Sequence, residues 1–155
     1  MVSQRKLSAP DAARLFVLSA VAQADAFIAA WGYKYQYNLL RPRTYIRELI
    51  DPTWEPLVPT PPFPEYPSGH STQSGAASTV IRSFLGDGPF DDSTSLAIGH
   101  DVRSYPSLDS AASEAGWSRI YGGIHFKVGK TGGRAVGICI GERIVERLRA
   151  AGQGQ

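Results

Sequence analysis

The 155-residue chain has an ordinary globular composition, with 43% hydrophobic and 19% charged residues. One domain is therefore expected, and intrinsic disorder is excluded. The net charge of +2 comes from 16 Lys and Arg against 14 Asp and Glu, which gives no basis for binding nucleic acid or an anionic membrane. Cys139 is the only cysteine, so a disulfide framework and a thiolate metal site are excluded as well.

The first predicted element is a long helix. Ser8 and Asp11 have the spacing of a helix cap and its acidic partner. Good helix formers continue to about Trp31, and the helix is expected to extend to Arg41, where Pro42 breaks it. Polar residues interrupt the apolar stretch, which argues against a signal peptide and against a membrane span. A cytoplasmic location is the default prediction.

The rest of the chain predicts shorter helices around one long loop. Residues 51–67 contain seven prolines and form this loop. No β-alternating run of useful length is present, so we predict an all-α fold, a helical bundle in one domain over residues 1–155, with flexible ends at about 1–7 and 152–155. The further predicted helices are 44–50, 70–85, 91–99, 110–117 and 133–151.

Two segments in the first half of the chain suit an anion. Lys34 and Arg41 are seven residues apart, which is two helical turns, so both are predicted on one helix face. Ser68, Gly69 and His70 lie where the proline loop enters a helix. The unpaired N–H groups of a helix start bind anions, and a glycine there allows close approach.

A third segment contains Arg119 and His125, which flank Gly122 and Gly123. Six residues apart on one helix would place Arg119 and His125 on different faces, so we expect the glycines to bend the chain, or Arg119 to precede the regular helix. Each segment alone has an ordinary explanation, as a solvated basic face, a helix cap or a core histidine. Together they supply the groups that neutralise a multiply charged oxyanion, with two imidazoles for nucleophilic and acid–base chemistry.

The three segments together resemble a known signature. Lys34 with Arg41-Pro42, then the Pro67–His70 segment, then Arg119 with His125 are similar in order and gaps to the three-part signature of the vanadium-dependent haloperoxidases and type 2 phosphatidic acid phosphatases. The surrounding residues are most similar to the soluble bacterial haloperoxidases. This resemblance implies a helical bundle of that type, reduced in size.

The resemblance also implies a role for each matching residue. His125 would be the ligand of vanadium in a bound vanadate, or the nucleophile of a phosphatase, and His70 would be the acid/base. Lys34 would polarise bound peroxide so that a halide attacks it. The oxygens of vanadate, or of phosphate in the same site, would be bound by Lys34, Arg41, Ser68, Gly69 and Arg119.

Two departures from the family pattern lead to separate predictions. The pattern has an aspartate four residues after the second histidine, where this chain has Gly129. We hypothesise that Asp25 or Glu114 orients a site residue instead. Only about 33 residues precede Lys34, fewer than these enzymes usually carry. Three interpretations stay open: a catalytic half, a fragment, or a reduced version in which a second copy, as a homodimer, supplies the missing surface.

The leading hypothesis is a vanadate-dependent haloperoxidase that oxidises halide with hydrogen peroxide. Two alternatives stay open: a soluble phosphomonoesterase with His125 as nucleophile, and a non-catalytic remnant kept for anion binding or assembly. The expected partners are therefore hydrogen peroxide and a halide, or a phosphomonoester. No nucleic acid and no membrane is expected to bind.

Overall fold

The computed structural model describes residues 7–152, which form a helical bundle. Helix α3 lies at its centre and packs against α1, α4 and α5, which confirms the predicted fold class. The predicted flexible ends fall almost wholly outside the described residues. In chain order the helices are α1 Ala9–Tyr37, α2 Pro42–Leu49, α3 Gly69–Leu85, α4 Leu108–Tyr121 and α5 Lys127–Gly152.

Helix α1 begins where the sequence predicts but ends earlier. The Ser8 hydroxyl accepts a hydrogen bond from the N–H of Asp11 at 3.3 Å, as expected of a cap. The helix ends at Asn38, which adopts the left-handed conformation with φ 48°, and asparagine tolerates this conformation better than most residues. Arg41 is instead the N-cap residue of α2. The prediction that Lys34 and Arg41 share one helix face is therefore wrong.

The predicted helix at residues 91–99 is also wrong. Strands β1 (Phe90–Asp92) and β2 (Arg103–Tyr105) form an antiparallel hairpin in which Phe90 pairs with Tyr105. A short 3-10 helix, Leu96–Ile98, lies in the connection. Each strand has only three residues, which is too short for an alternating pattern to be visible in the sequence.

Helix α5 packs on α3 through a row of glycines. A Cβ atom on Gly137 would overlap the carbonyl oxygen of Thr72 and lie 2.9 Å from its carbonyl carbon, and one on Gly133 would lie 2.6 Å from the carbonyl oxygen of Ser68. The backbones of the two helices are therefore in direct contact, which holds the start of α3 in place. The row recurs every fourth residue on one face of α5: Gly129, Gly133, Gly137 and Gly141.

Helix α1 has apolar residues on two opposite faces. Its inner face packs into the bundle through Leu15, Ala22 and Ala26, which are buried. The stretch Ala9–Leu49 contains a helix long and apolar enough to cross a membrane, a test that core helices of soluble proteins also pass. Its packing against α3 and α5 is compatible with a soluble protein.

The face of α1 opposite its buried residues is exposed, and we call it the outer stripe. It consists of Phe16, Val17, Ala20, Ala24, Phe27 and Ile28.

The glycine row generates a stability prediction. Gly137→Ala should lower the free energy of unfolding by about 3 kcal/mol, because its methyl group must push apart two backbones that touch. Gly32→Ala is the matched control, since Gly32 lies in α1 with nothing within 4 Å of an added Cβ. That control should be neutral or stabilising by up to about 1 kcal/mol. Equal effects of the two substitutions in urea denaturation would contradict this packing.

Candidate anion-binding site

The predicted site residues meet at the start of α3. A cavity of about 420 Å³ is lined by Gly69, His70, Arg119 and His125, together with apolar side chains that include Trp31. The remaining three predicted residues are buried around it: Lys34, Arg41 and Ser68.

Lys34 is buried without any exposed surface. Its ammonium group donates hydrogen bonds to the carbonyl oxygens of Pro64 at 2.9 Å, Glu65 at 3.0 Å and Pro67 at 2.7 Å. Burial and the nearby Arg41 charge lower the pKa of Lys34 to about 8. Lys34 therefore fixes the proline loop and adds a positive charge to the site that is lost in mildly alkaline solution.

Arg41 connects the proline loop to the turn between α4 and α5. Its Nε donates to the carbonyl oxygen of Phe63 at 2.9 Å, and its Nη1 donates to the carbonyl oxygen of Ile124 at 2.7 Å. Nη1 also lies 3.1 Å from Nε2 of His125. The second terminal nitrogen, Nη2, is buried and has no hydrogen-bond partner. A buried guanidinium N–H without a partner is costly, so Nη2 would favour an acceptor placed within its reach.

His125 lies between Arg41 and the carboxylate of Glu65, a residue that the sequence does not predict in the site. Its Nδ1 is 2.5 Å from Oε1 of Glu65. Burial lowers the pKa of His125, although Glu65 acts in the opposite direction, and the charges of Arg41 and Lys34 lower it further. The imidazole is therefore neutral at neutral pH. Sixty residues of sequence separate the two partners, and no local pattern marks Glu65 as one of them.

Neither hypothesised orienting carboxylate reaches the site. Asp25 is exposed on α1. Glu114 forms an ion pair with Arg103, and it accepts a hydrogen bond from the hydroxyl of Tyr105 at 3.2 Å. The hypothesis that Asp25 or Glu114 takes this role is therefore wrong, because Asp25 faces solvent and Glu114 is bound by the hairpin.

The start of α3 presents donors to the cavity. The Ser68 hydroxyl caps the helix by accepting a hydrogen bond from the N–H of Ser71 at 3.4 Å. The N–H groups of Gly69 and His70 lie in the first turn, where no carbonyl of the same helix can accept from them. Partial burial and the Arg119 charge lower the pKa of His70, so this imidazole is neutral at neutral pH.

The two glycines after Arg119 redirect the chain, as the sequence predicts. Arg119 lies in the last turn of α4, and its Nε donates to the hydroxyl of Ser118 at 3.1 Å. Gly123 has φ 76°, a conformation that favours glycine. The resulting turn returns His125 to the same cavity as Arg119.

The arrangement suits one oxyanion and not a chelated metal ion. Within residues 7–152, no group of three or more His, Cys, Asp or Glu side chains could hold a metal ion. A neutral imidazole instead lines a cavity near cations and helix N–H groups, and groups of these kinds are the usual protein partners of tetrahedral oxyanions.

The lowered pKa of Lys34 predicts how anion binding depends on pH. Sulfate keeps its charge between about pH 6.5 and 9.5, so a change in its affinity reports on the protein. Because Lys34 is cationic only below its pKa of about 8, sulfate should bind more weakly above that pH, by about tenfold. Titration calorimetry across this range measures the effect.

Two variants test whether Lys34, and not another titrating group, causes the pH dependence of sulfate binding. Lys34→Met should bind sulfate weakly at pH 7, and its affinity for sulfate should not fall further above pH 8. Lys130→Met is the control, because Lys130 lies over the Trp117 ring outside the cavity, and it should retain the decline. An alkaline decline that persists in Lys34→Met would refute this assignment.

Comparison with known proteins assigns the chain to a family. Residues 14–154 match the model of the VCPO second helical-bundle domain. The chain is 42% identical to a bacterial vanadium-dependent iodoperoxidase of known structure, with a TM-score of 0.89 over 94% of this chain and 36% of that chain. A bacterial vanadium-dependent chloroperoxidase, 23% identical over 84% of this chain and 35% of that chain, shares the fold with a TM-score of 0.69.

A third relative matches the chain over a shorter segment. The vanadium chloroperoxidase of Curvularia inaequalis is 38% identical in an 89-residue alignment, and the match covers 48% of this chain and 15% of that protein. The chain thus spans about a third of the length of the two solved structures and less of the curated relative. Since the family model covers nearly all described residues, the chain belongs to the vanadium haloperoxidase family, as a domain of the second helical-bundle type.

Proposed function

We propose that this chain is a vanadate-dependent haloperoxidase that oxidises halide with hydrogen peroxide. The observation that carries the proposal is the pair of His125 and Arg41. Nη1 of Arg41 lies 3.1 Å from Nε2 of His125, and Nη2 is buried without a partner. An oxyanion held at His125 would accept from that orphaned N–H. The 42% identity to an iodoperoxidase supports halide as the substrate class.

The residues present fit vanadate. Nε2 of His125 would be the nitrogen ligand of vanadium, and phosphate would fit the same place because it has a similar shape and charge. When bound, vanadate supplies the Lewis acid that activates hydrogen peroxide. The oxygens would be bound by Arg41, Ser68, Gly69 and Arg119. Lys34 would contribute its positive charge only, because its three N–H groups already donate to loop carbonyls.

The chain's own residues supply the remaining chemistry. The neutral imidazole of His125 has a lone pair on Nε2, which a ligand would take over from Nη1 of Arg41. His70 at the cavity wall has a lowered pKa, so it is unprotonated at neutral pH and can accept a proton from a reacting group. The charge of Lys34 favours negative charge that develops on peroxide oxygen and attracts the halide. Trp31 and Phe63 make part of the wall apolar, which limits the access of water.

Paired assays test this function. Halogenation of a phenol reporter by bromide and hydrogen peroxide should require orthovanadate, measured beside hydrolysis of p-nitrophenyl phosphate without vanadate. His125→Ala should lower halogenation by about a hundredfold or more. The matched control is His100→Ala, an exposed loop histidine outside the cavity, which should retain activity.

Two results would contradict the proposal. Phosphate-ester hydrolysis that requires His125, without halogenation, would assign a phosphomonoesterase. Absence of both activities, with His125→Ala binding vanadate as tightly as the parent chain, would indicate a non-catalytic remnant kept for anion binding or assembly.

We also propose that a second copy of the chain covers the outer stripe. Arg14 and Asp25 lie eleven residues apart, which is about three helical turns, so both flank the stripe on the same side. In an antiparallel pair of α1 helices related by a twofold axis near Ala20, Arg14 of each copy would face Asp25 of the other. Ala20 and Ala24 allow close approach at the centre. Phe27, which also lines the cavity, would then be covered.

Sedimentation equilibrium tests the dimer. The parent chain should be dimeric, and Val17→Glu should make it monomeric, because the substitution places a carboxylate inside the paired stripe. Ala135→Glu, at an exposed position of α5, is the control and should stay dimeric. A parent chain that sediments as a monomer at all concentrations contradicts the pairing.

A further inference from the structure

We propose that Glu65 is the residue that positions His125, and that residue 129 is glycine because Glu65 occupies the space of its side chain. The inference rests on the proposed function in one respect, that His125 holds the anion. It deepens that function by naming the group that decides which imidazole nitrogen is free.

Glu65 is held by both the side chain and the backbone of the segment it orients. The residue has no exposed surface. Its Oε1 lies 2.5 Å from Nδ1 of His125 and accepts the N–H of Phe126 at 3.0 Å. Two donors on one oxygen fix the carboxylate against this turn, so the imidazole ring cannot rotate without breaking its contact.

The contact with Glu65 selects one tautomer of the neutral imidazole. A carboxylate has no proton to donate, so Nδ1 of His125 must be the donor. Nε2 is then unprotonated and carries the lone pair. Arg41 can only donate, so its Nη1 donates a hydrogen bond to this nitrogen at 3.1 Å. A ligand atom bound at Nε2 would therefore replace the Arg41 hydrogen bond, and Glu65 determines that Nε2 is the nitrogen with the lone pair.

Gly129 provides the space for this carboxylate. A Cβ on Gly129 would overlap Oε1 of Glu65 and would lie 2.7 Å from its Cδ and 2.8 Å from its Oε2. Any side chain at this position would displace Glu65. The carbonyl of Gly129 also accepts the N–H of Ser68 at 2.9 Å, so the first turn of α5 is fixed against the loop that carries Glu65.

The Glu65 carboxylate and any side chain on residue 129 compete for one volume next to His125. Glu65 does not line the cavity, so it acts through His125 and is a positioning residue. Groups that orient a ligating histidine typically change affinity by ten- to a hundredfold when removed. If Glu65 acts by placing a carboxylate next to His125, then a carboxylate moved from residue 65 to residue 129 should restore the affinity for vanadate.

Nitrogen NMR of histidine-labelled protein tests the tautomer without any bound ligand. At pH 7, the His125 signals, assigned by their loss in His125→Ala, should show a protonated Nδ1 and an unprotonated Nε2. Glu65→Ala should lose this preference. Glu65→Gln should retain it, because the amide oxygen still accepts from Nδ1. A parent chain or Glu65→Gln variant with its proton on Nε2 would overturn the proposal.

A swap of positions tests the role of Gly129. Glu65→Ala should bind orthovanadate about ten- to a hundredfold more weakly by calorimetry, and Gly129→Asp alone should also bind weakly because two carboxylates compete for one volume. The double variant Glu65→Ala, Gly129→Asp should recover most of the lost affinity. A double variant that binds no better than Glu65→Ala would overturn the proposal, as would full affinity in Glu65→Ala.

The two proposals fail separately. Circular dichroism melting identifies any variant that does not fold, and Glu65→Gln together with the parent spectrum then decides the tautomer. Absent halogenation, with the expected tautomer and a successful swap, contradicts only the proposed function. Halogenation that is unchanged in a folded Glu65→Ala contradicts only the positioning role.

Discussion

The burial of three charged side chains is the constraint on which the rest of the site depends. Lys34 and Glu65 have no exposed surface, and Arg41 is 5% exposed. Each charge costs several kcal/mol to remove from water unless hydrogen bonds and opposite charges replace its hydration. Loop carbonyls bind both cations, and His125 with a backbone N–H binds the carboxylate. The proline loop is fixed because its carbonyls bind these two cations. The two cations also make the surroundings of the cavity positively charged.

Close helix packing makes this arrangement possible. The glycine row of α5 lets its backbone touch α3, so the first turn of α3 is held directly behind the cavity. At its N-terminal end, Gly129 admits the Glu65 carboxylate instead of the α3 backbone. One face of one helix therefore contributes to both the stability of the bundle and the orientation of His125. The absence of side chains along this row is as necessary to the site as the charged residues.

The sequence predicts the long elements, and which residues meet near the cavity, better than it predicts the connections between elements. Helices α1 and α3 have clear caps and extended helical patterns, so both were predicted within a few residues. The break after α1 was misplaced because Asn38 ends the helix before Pro42 can. The hairpin was missed because its strands are too short to show a period. Glu65 was missed because its role depends on a partner sixty residues away, which no local pattern encodes.

The proposed function depends on a tetrahedral oxyanion that Nε2 of His125 holds among buried cations. A crystal structure of the chain grown with orthovanadate would locate this anion. We expect vanadium bonded to Nε2 of His125, with one oxygen accepting from Nη2 of Arg41 and another near the N–H of Gly69. Vanadate bound away from His125, or a cavity without vanadate at a saturating concentration, would contradict the proposal.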